Sequence, residues 1–286
     1  VKPLPPRYDR IVSLVLVVIL GLAVVLSIDS NPNILRAQLG GDLPTITVSW
    51  VLIGALVIIT STGADLLARA HPAMQTHSHP VINLGFMQVE IAPGFWILPS
   101  FSVIGSFAFF RLFSADLPGI AFELALIAAG GVLMGVLIGQ HYALARVDKT
   151  RQQAQLALQA VTYLVAFGCY SAIYYARLRT LYSASLIGLS GTLLAYEVLQ
   201  WSPRRGQFWL SLIVGLLLAE VTWALNYWAA PFLLGGALLL VIFYITVSLL
   251  QHHASGTLQR HLFIEYGLLG SGLLAVVIYI TFRTIP

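Results

Sequence analysis

Cysteine occurs once in this sequence, at Cys169, so no intrachain disulfide can form and neither a CxxC metal knuckle nor a dithiol redox centre can be built. Charge is scarce as well: 9% of residues are Asp, Glu, Lys or Arg, against about 25% in a typical soluble domain. The only lysines, Lys2 and Lys149, lie outside the long apolar runs, which excludes a retinal Schiff base. None of the seven histidines falls in the middle of a run, which excludes a transmembrane b-type haem. An intramembrane aspartyl protease needs two facing aspartates, and Asp65, at the end of the second run, is the only candidate. There is no H-E-x-x-H zinc helix, no phosphate-cradling P-loop and no G-x-S-x-G elbow; "GSG" at Gly270 to Gly272 is too short a match to name a nucleophile.

What the chain does contain is hydrocarbon, 58% hydrophobic residues over 286 positions. The charges sit in short clusters between apolar runs of roughly 18 to 23 residues, the length that crosses about 30 Å of hydrocarbon at 1.5 Å per residue. Backbone groups in lipid must be satisfied within the segment, and continuous runs suit helices rather than alternating strands. Nine runs are expected as spans of one all-α transmembrane bundle: about 11–28, 46–66, 95–113, 118–140, 155–176, 181–201, 207–228, 231–251 and 262–283. The first follows Lys2, Arg7 and Arg10, as a signal peptide would, but its apolar stretch is long and "SIDSNPN" lacks a small-residue cleavage pattern, so it is expected to be a retained span. No connection is long enough for a soluble domain; residues 67–94 alternate apolar and polar residues between prolines and are expected to form an extended, interfacial loop.

Orientation follows from Lys and Arg on alternate sides. With the N-terminus inside, Lys2, Arg7, Arg10, Arg69, Arg146, Lys149, Arg151, Arg204, Arg205 and Arg260 are cytoplasmic, and only Arg36, Arg111, Arg177, Arg179 and Arg283 are outside. This asymmetry favours N-in and C-out. A re-entrant or unrecognised span within 67–94 would invert every later assignment. The net charge of +4 is what cytoplasmic loops carry and calls for no nucleic-acid partner; the expected partners are the bilayer and other membrane subunits.

Gly131, Gly135 and Gly139 recur every four residues along the fourth run, a face on which another backbone can approach closely, either within the bundle or at a dimer seam. Tyr163, Tyr170 and Tyr174 share a face of the fifth run, as packing with hydrogen bonds or as a ligand wall. All seven histidines, His71, His77, His79, His141, His252, His253 and His261, fall on the cytoplasmic side of the N-in topology. "HSH" brings His77 and His79 within reach of one ion, and "HLFIE" sets His261 and Glu265 four apart on one helical face, so a transition-metal site of these four residues is one expectation and chance composition the other. The clustering resembles that of membrane di-iron desaturases and hydroxylases, but HxxxH and HxxHH are both absent and their activity is not carried over.

Among the acidic residues, Glu123, Glu197 and Glu265 lie close enough to run ends to reach headgroups or water. Glu220, in "GLLLAEVTWALNYW", is about 20 Å along its run from Gln207 at 1.5 Å per residue. A carboxylate at that depth costs at least a few kcal/mol, so it is expected to face the bundle and to hydrogen-bond a neighbour, the tyrosine stripe of the fifth run first. Trp223 and Tyr227 share its face, whereas Gly215, Thr222 and Asn226 form a second one, so this span should touch at least two helices and sit inside the bundle.

"AEVTWALNYW", followed by "GGALLLVIFYITVSLLQ" and "EYG", resembles the C-terminal half of a family of uncharacterised multi-pass membrane proteins from green non-sulfur type bacteria. The resemblance lies in the last three runs. It implies nine helices and an inner-membrane home, marks Glu220, Trp223 and Asn226 as motif positions, and implies no substrate. Three functions stay open: an accessory or scaffold subunit of a larger membrane complex, which the absence of repeats, soluble domains and complete ligand sets favours; a carrier for a small or lipophilic solute using Glu220; and a membrane-embedded metalloenzyme using the cytoplasmic histidines. A subunit should leave an apolar, Gly-lined flank exposed, a carrier should show a polar cavity reaching Glu220, and an enzyme should gather at least three histidines and a carboxylate.

Overall fold

A computed structural model of the chain describes residues 5–29, 36–37, 46–71, 74, 81–83, 88–90, 94–113, 119–144, 148–201, 206–228, 231–256, 264–268, 270–272, 275 and 279. Eight helices are bounded within them: α1 (Tyr8–Asp29), α2 (Val48–Arg69), α3 (Ile97–Phe113), α4 (Ile120–Ala143), α5 (Asp148–Tyr175), α6 (Thr180–Leu199), α7 (Gln207–Leu225) and α8 (Phe232–Ser255). The described residues of the last run, 264–268, 270–272, 275 and 279, are helical too. Helix therefore occupies every expected run, and six helices, α1, α2, α4, α5, α7 and α8, are long and apolar enough to cross a membrane. α3 has only 17 residues. α6 carries Ser183, Ser185, Gly188, Ser190, Gly191, Thr192 and Glu197, which dilute its hydropathy. α5 begins seven residues before the expected limit of 155, because "DKTRQQA" forms two polar turns ahead of the apolar run.

Two short antiparallel pairs complete the described elements, β1 (Arg36–Ala37) with β2 (Ile46–Thr47), and β3 (Val81–Asn83) with β4 (Gln88–Glu90). The second lies in the expected interfacial loop. That loop starts later than 67, since α2 continues to Arg69 and is held there by an Arg69–Asp65 ion pair of 2.7 Å.

The chain divides into two compact units, Val1–Val161 and Thr162–Pro286. In the first, α1 buries Ile11, Val15, Val18, Leu22 and Val25, at spacings of four, three, four and three, against Ile53 and Leu56 of α2, Val103 and Phe107 of α3, and Leu133 and Leu137 of α4. The opposite face of α1, with Leu16, Val17, Leu20 and Val24, is exposed and equally apolar, as a helix between a bundle and lipid requires. Neighbouring helices alternate in direction. The starts of α1 and α3 and the ends of α2 and α4 line one cleft, while at the other end Arg111 of α3 reaches Asp29 of α1 at 3.5 Å and lies 5.8 Å from the Trp50 ring centre. The end of α2 and the start of α3 thus lie at the same end of this unit.

The second unit is built around α6. Eleven of its residues are buried, among them Ser183, Gly188, Gly191, Leu194 and Glu197. α7 is its closest neighbour. A methyl group on Gly215 of α7 would land on the Thr192 hydroxyl and the Gly188 carbonyl, and one on Gly188 would stand 3.1 Å from the Ala219 Cβ. Small residues on both sides bring these backbones together where lipid supplies no hydrophobic drive. α8 packs on both helices, and its Gly235 and Gly236 receive Tyr174 and Ser171 of α5.

Candidate functional site

The polar residues of α7 divide as the sequence indicates, but the face expected to point inward points outward. Gly215 and Thr222 are buried, and the Asn226 amide donates to the Ser183 hydroxyl of α6 at 2.8 Å. Glu220, Trp223 and Tyr227 are exposed. The cause is size: Gly215 and Thr222 let α6 approach, whereas a face bearing two large aromatics cannot meet a neighbour so closely. α7 does touch two helices, α6 and α8, yet lies at the margin of its unit rather than inside it.

The tyrosine stripe serves packing and capping, and Glu220 is not its partner. The Tyr174 hydroxyl lies 3.0 Å from the Leu225 carbonyl and 3.1 Å from that of Trp228, closing the end of α7, where terminal carbonyls lack intrahelical donors. Tyr170 is fully buried edge-on to Phe243, and Tyr163 stacks edge-on with Phe243 and Tyr244. The acid that is enclosed is Glu197, 1% exposed. Its position near the end of α6 reads as access to water, but that end is surrounded. Glu123 and Glu265 are exposed, as their positions in the sequence imply.

Of Gly131, Gly135 and Gly139 in α4, only Gly139 packs, with Leu158 of α5 at 3.0 Å from an added methyl. Gly131 and Gly135 meet nothing within 4 Å among the described residues, and the close approach to α1 is made by Gly130, which faces Ile19 and Val15. One residue is 100° of helix rotation, enough to turn the expected packing stripe outward.

His77, His79 and His261 lie outside the described residues, and among the described residues no group of three or more His, Cys, Asp or Glu is placed to hold a metal ion. Two other histidines do meet. His71, just past α2, and His141, in the last turn of α4, have ring centres 4.7 Å apart with planes at 76°. They line the cleft at one end of the first unit together with Arg7, Ile11, Leu67 and Gln140, in a volume of about 50 Å³, room for a few water molecules. The buried Gln140 amide donates to the Phe95 carbonyl at 3.1 Å, tying α4 to the start of α3, and the Tyr8 and Tyr142 hydroxyls are hydrogen-bonded. Burial holds the His71 imidazole below its ordinary value of 6.5, and His141 beside it adds to the effect. Two imidazoles give two nitrogen donors, one fewer than the protein ligands of catalytic zinc sites. The pair is 70 positions apart in sequence, and only the shared sidedness of the histidines hints at it.

No curated protein and no solved structure matches the chain. The match to a family model, in contrast, extends over residues 30–280, from the end of α1 into the last helical segment and well beyond the three runs that carry the sequence resemblance. The chain belongs to the family described as Protein of unknown function (DUF5656).

Proposed function

We propose that this chain is a nine-span protein of the bacterial inner membrane, N-in and C-out, and that it serves as an accessory or scaffold subunit of a larger membrane complex. The observation that carries the reading is Glu220. It lies on an exposed face of α7, about 8 Å before the helix ends at Leu225 at 1.5 Å per residue. An acid facing lipid is costly, roughly 3 kcal/mol at the helix centre on the mildest scales and less toward the ends. A helix of another chain laid on this face removes that cost by supplying a hydrogen-bond partner. The open Gly131 and Gly135 positions of α4, beside exposed Leu124 and Ile127, add a second apolar flank of the kind a subunit offers.

The topology is supported by helix in every apolar run, by the end of α2 and the start of α3 lying at the same end of their unit, and by the excess of Lys and Arg on the N-terminal side. The inner-membrane home is supported by the sequence resemblance. A carrier reading would have Glu220 line a passage, whereas within its own unit this side chain lies on the exposed face of α7. A metal-dependent enzyme would draw on His77, His79 and His261 with Glu265, of which only the exposed Glu265 is described.

The test is extraction from native membranes in polymer-bounded lipid discs, without detergent, followed by mass measurement. Particles should hold polypeptide mass beyond one 31.1 kDa chain, and Glu220→Leu should deplete the excess. Discs carrying one chain and lipid alone would refute the reading.

A further inference from the structure

We propose that the cleft at the starts of α1 and α3 in the first unit is a binding site for a phosphate group, with the Arg7 guanidinium and the His71 and His141 imidazoles as its donors. Such a group comes from two sources, a phospholipid headgroup or a small phosphate in the water phase, and both present the same non-bridging oxygens. Arg7, His71, Gln140 and His141 are the polar side chains of the lining, and the remainder, with Ile11 and Leu137, is apolar. The site lies wholly within the first unit and stands whether or not the chain has a partner subunit.

The side chains select an anion over a cation. A guanidinium stays charged at any pH a protein meets and offers five N–H donors, and an imidazole keeps at least one N–H donor in either protonation state. No Asp or Glu is among the described residues that line the cleft, and Asp65 of α2 is engaged by Arg69 at 2.7 Å. A metal ion would meet two nitrogen ligands and a fixed positive charge. An oxyanion meets donors from three places: just before α1, just past α2 and the last turn of α4. Helix ends do not decide the sign, because two starts and two ends meet here and their dipoles oppose one another.

Depth and rigidity fit the same ligand. Arg7 lies one turn before Ile11, the first buried residue of α1, so the cleft straddles the border between the apolar run and its polar end. Phospholipid phosphates lie at that level, and basic pockets between spans there take headgroups. Arg7 is exposed and His71 buried, so the donors run from the mouth of the cleft to its floor. The volume of about 50 Å³ admits one tetrahedral oxyanion in place of a few water molecules, and leaves the rest of a larger molecule outside. The walls are tied together. Tyr8, next to Arg7, is hydrogen-bonded to Tyr142, next to His141, and the Gln140 amide holds the Phe95 carbonyl at 3.1 Å. Charge-assisted hydrogen bonds gain strength in the apolar remainder of the lining.

The experiment uses the full chain, isotope-labelled at the histidine nitrogens, in a maltoside detergent that contains no phosphate. Imidazole resonances are followed by NMR during titration with sodium phosphate and, separately, with a short-chain phosphatidylglycerol, with sodium chloride at matched ionic strength as the reference. The His71 and His141 resonances, identified by their loss in His71→Gln and His141→Gln, should move together and saturate. Arg7→Gln should weaken binding about tenfold, the scale of one lost charge-assisted contact. Arg7 is exposed, so an unchanged circular dichroism spectrum separates that loss from loss of fold. Arg10→Gln removes the same charge from an exposed position outside the lining and should stay within about twofold. Saturation by sodium phosphate alone identifies a small phosphate as the ligand, saturation by the lipid alone a headgroup, and saturation by both a site open to either; each supports the proposal. Rings that neither probe moves, shifts that chloride reproduces, or equal losses in Arg7→Gln and Arg10→Gln would overturn it. Zinc chloride that moves both rings at lower concentration than phosphate, and more tightly in Arg7→Gln, would overturn it in favour of a metal-binding pair.

Discussion

Replacing Gly215 with alanine adds one methyl group at the tightest helix contact in the second unit. That methyl would fall on the Thr192 hydroxyl, which donates to the Gly188 carbonyl at 2.8 Å, and on the carbonyl itself. Backbone is not a flexible neighbour, so α6 and α7 must move apart along a contact that also includes Gly191 against Leu218. Overpacking of this kind costs about 1–3 kcal/mol, and the gain from replacing a helical glycine with alanine, about 0.5–1 kcal/mol, offsets part of it. A net loss of about 1–2 kcal/mol is expected. Gly131→Ala and Gly135→Ala provide the comparison, since nothing described lies within 4 Å of the added methyl and only the favourable helix term applies. Thermal unfolding in one mild detergent, followed by circular dichroism, should rank Gly215→Ala below the parent and the two α4 variants at or slightly above it. Equal stability of all three would refute the close α6–α7 approach. A loss at Gly131 matching that at Gly215 would show that the α4 stripe is a packed seam.

Tyr174→Phe removes the hydroxyl that caps α7, and Asn226→Ala removes the amide bonded to Ser183; each should cost about 0.5–1.5 kcal/mol by denaturant titration, and unchanged midpoints would count against the assigned bonds. The His71 imidazole has a depressed value in the folded chain, so the unfolded chain binds the proton more readily. Stability should therefore be unaffected by this group at neutral pH and above, and should fall as pH drops below about 6.5. His71→Gln should flatten the decline, and identical acid profiles for the two proteins would refute the role given to His71. Cysteine accessibility at replacements of Arg36 and Arg204 tests the topology: position 36 should label from outside and position 204 from the cytoplasm, and the reverse pattern would invert the N-in assignment.

The helices were legible because lipid imposes length: the described residues of each apolar run are helical. Their rotation about the long axis was not, because in a bilayer both the buried and the exposed faces are apolar and hydrophobic periodicity carries little information. Leu22 and Leu20 on α1 are chemically identical and lie on opposite faces. Residue size carries the missing signal. Gly188, Gly191 and Gly215 mark where backbones meet, and Trp209, Trp223 and Tyr227 mark where they do not. Depth along a helix misled in the same way for the acids: Glu197, near an end, is enclosed, and Glu220, well inside its run, faces out. The His71–His141 contact depends on α2 and α4 ending at the same level, which follows from the tertiary arrangement and from no local motif.

The most direct measurement is photo-cross-linking in native membranes, with benzoylphenylalanine placed at Trp223 on the exposed face of α7 and, for comparison, at Leu20 on the exposed face of α1. Position 223 should yield an adduct of two polypeptides that Glu220→Leu diminishes, and position 20 should yield lipid adducts. Lipid adducts alone at both positions would contradict the assignment of the Glu220 face as an interface between protein chains.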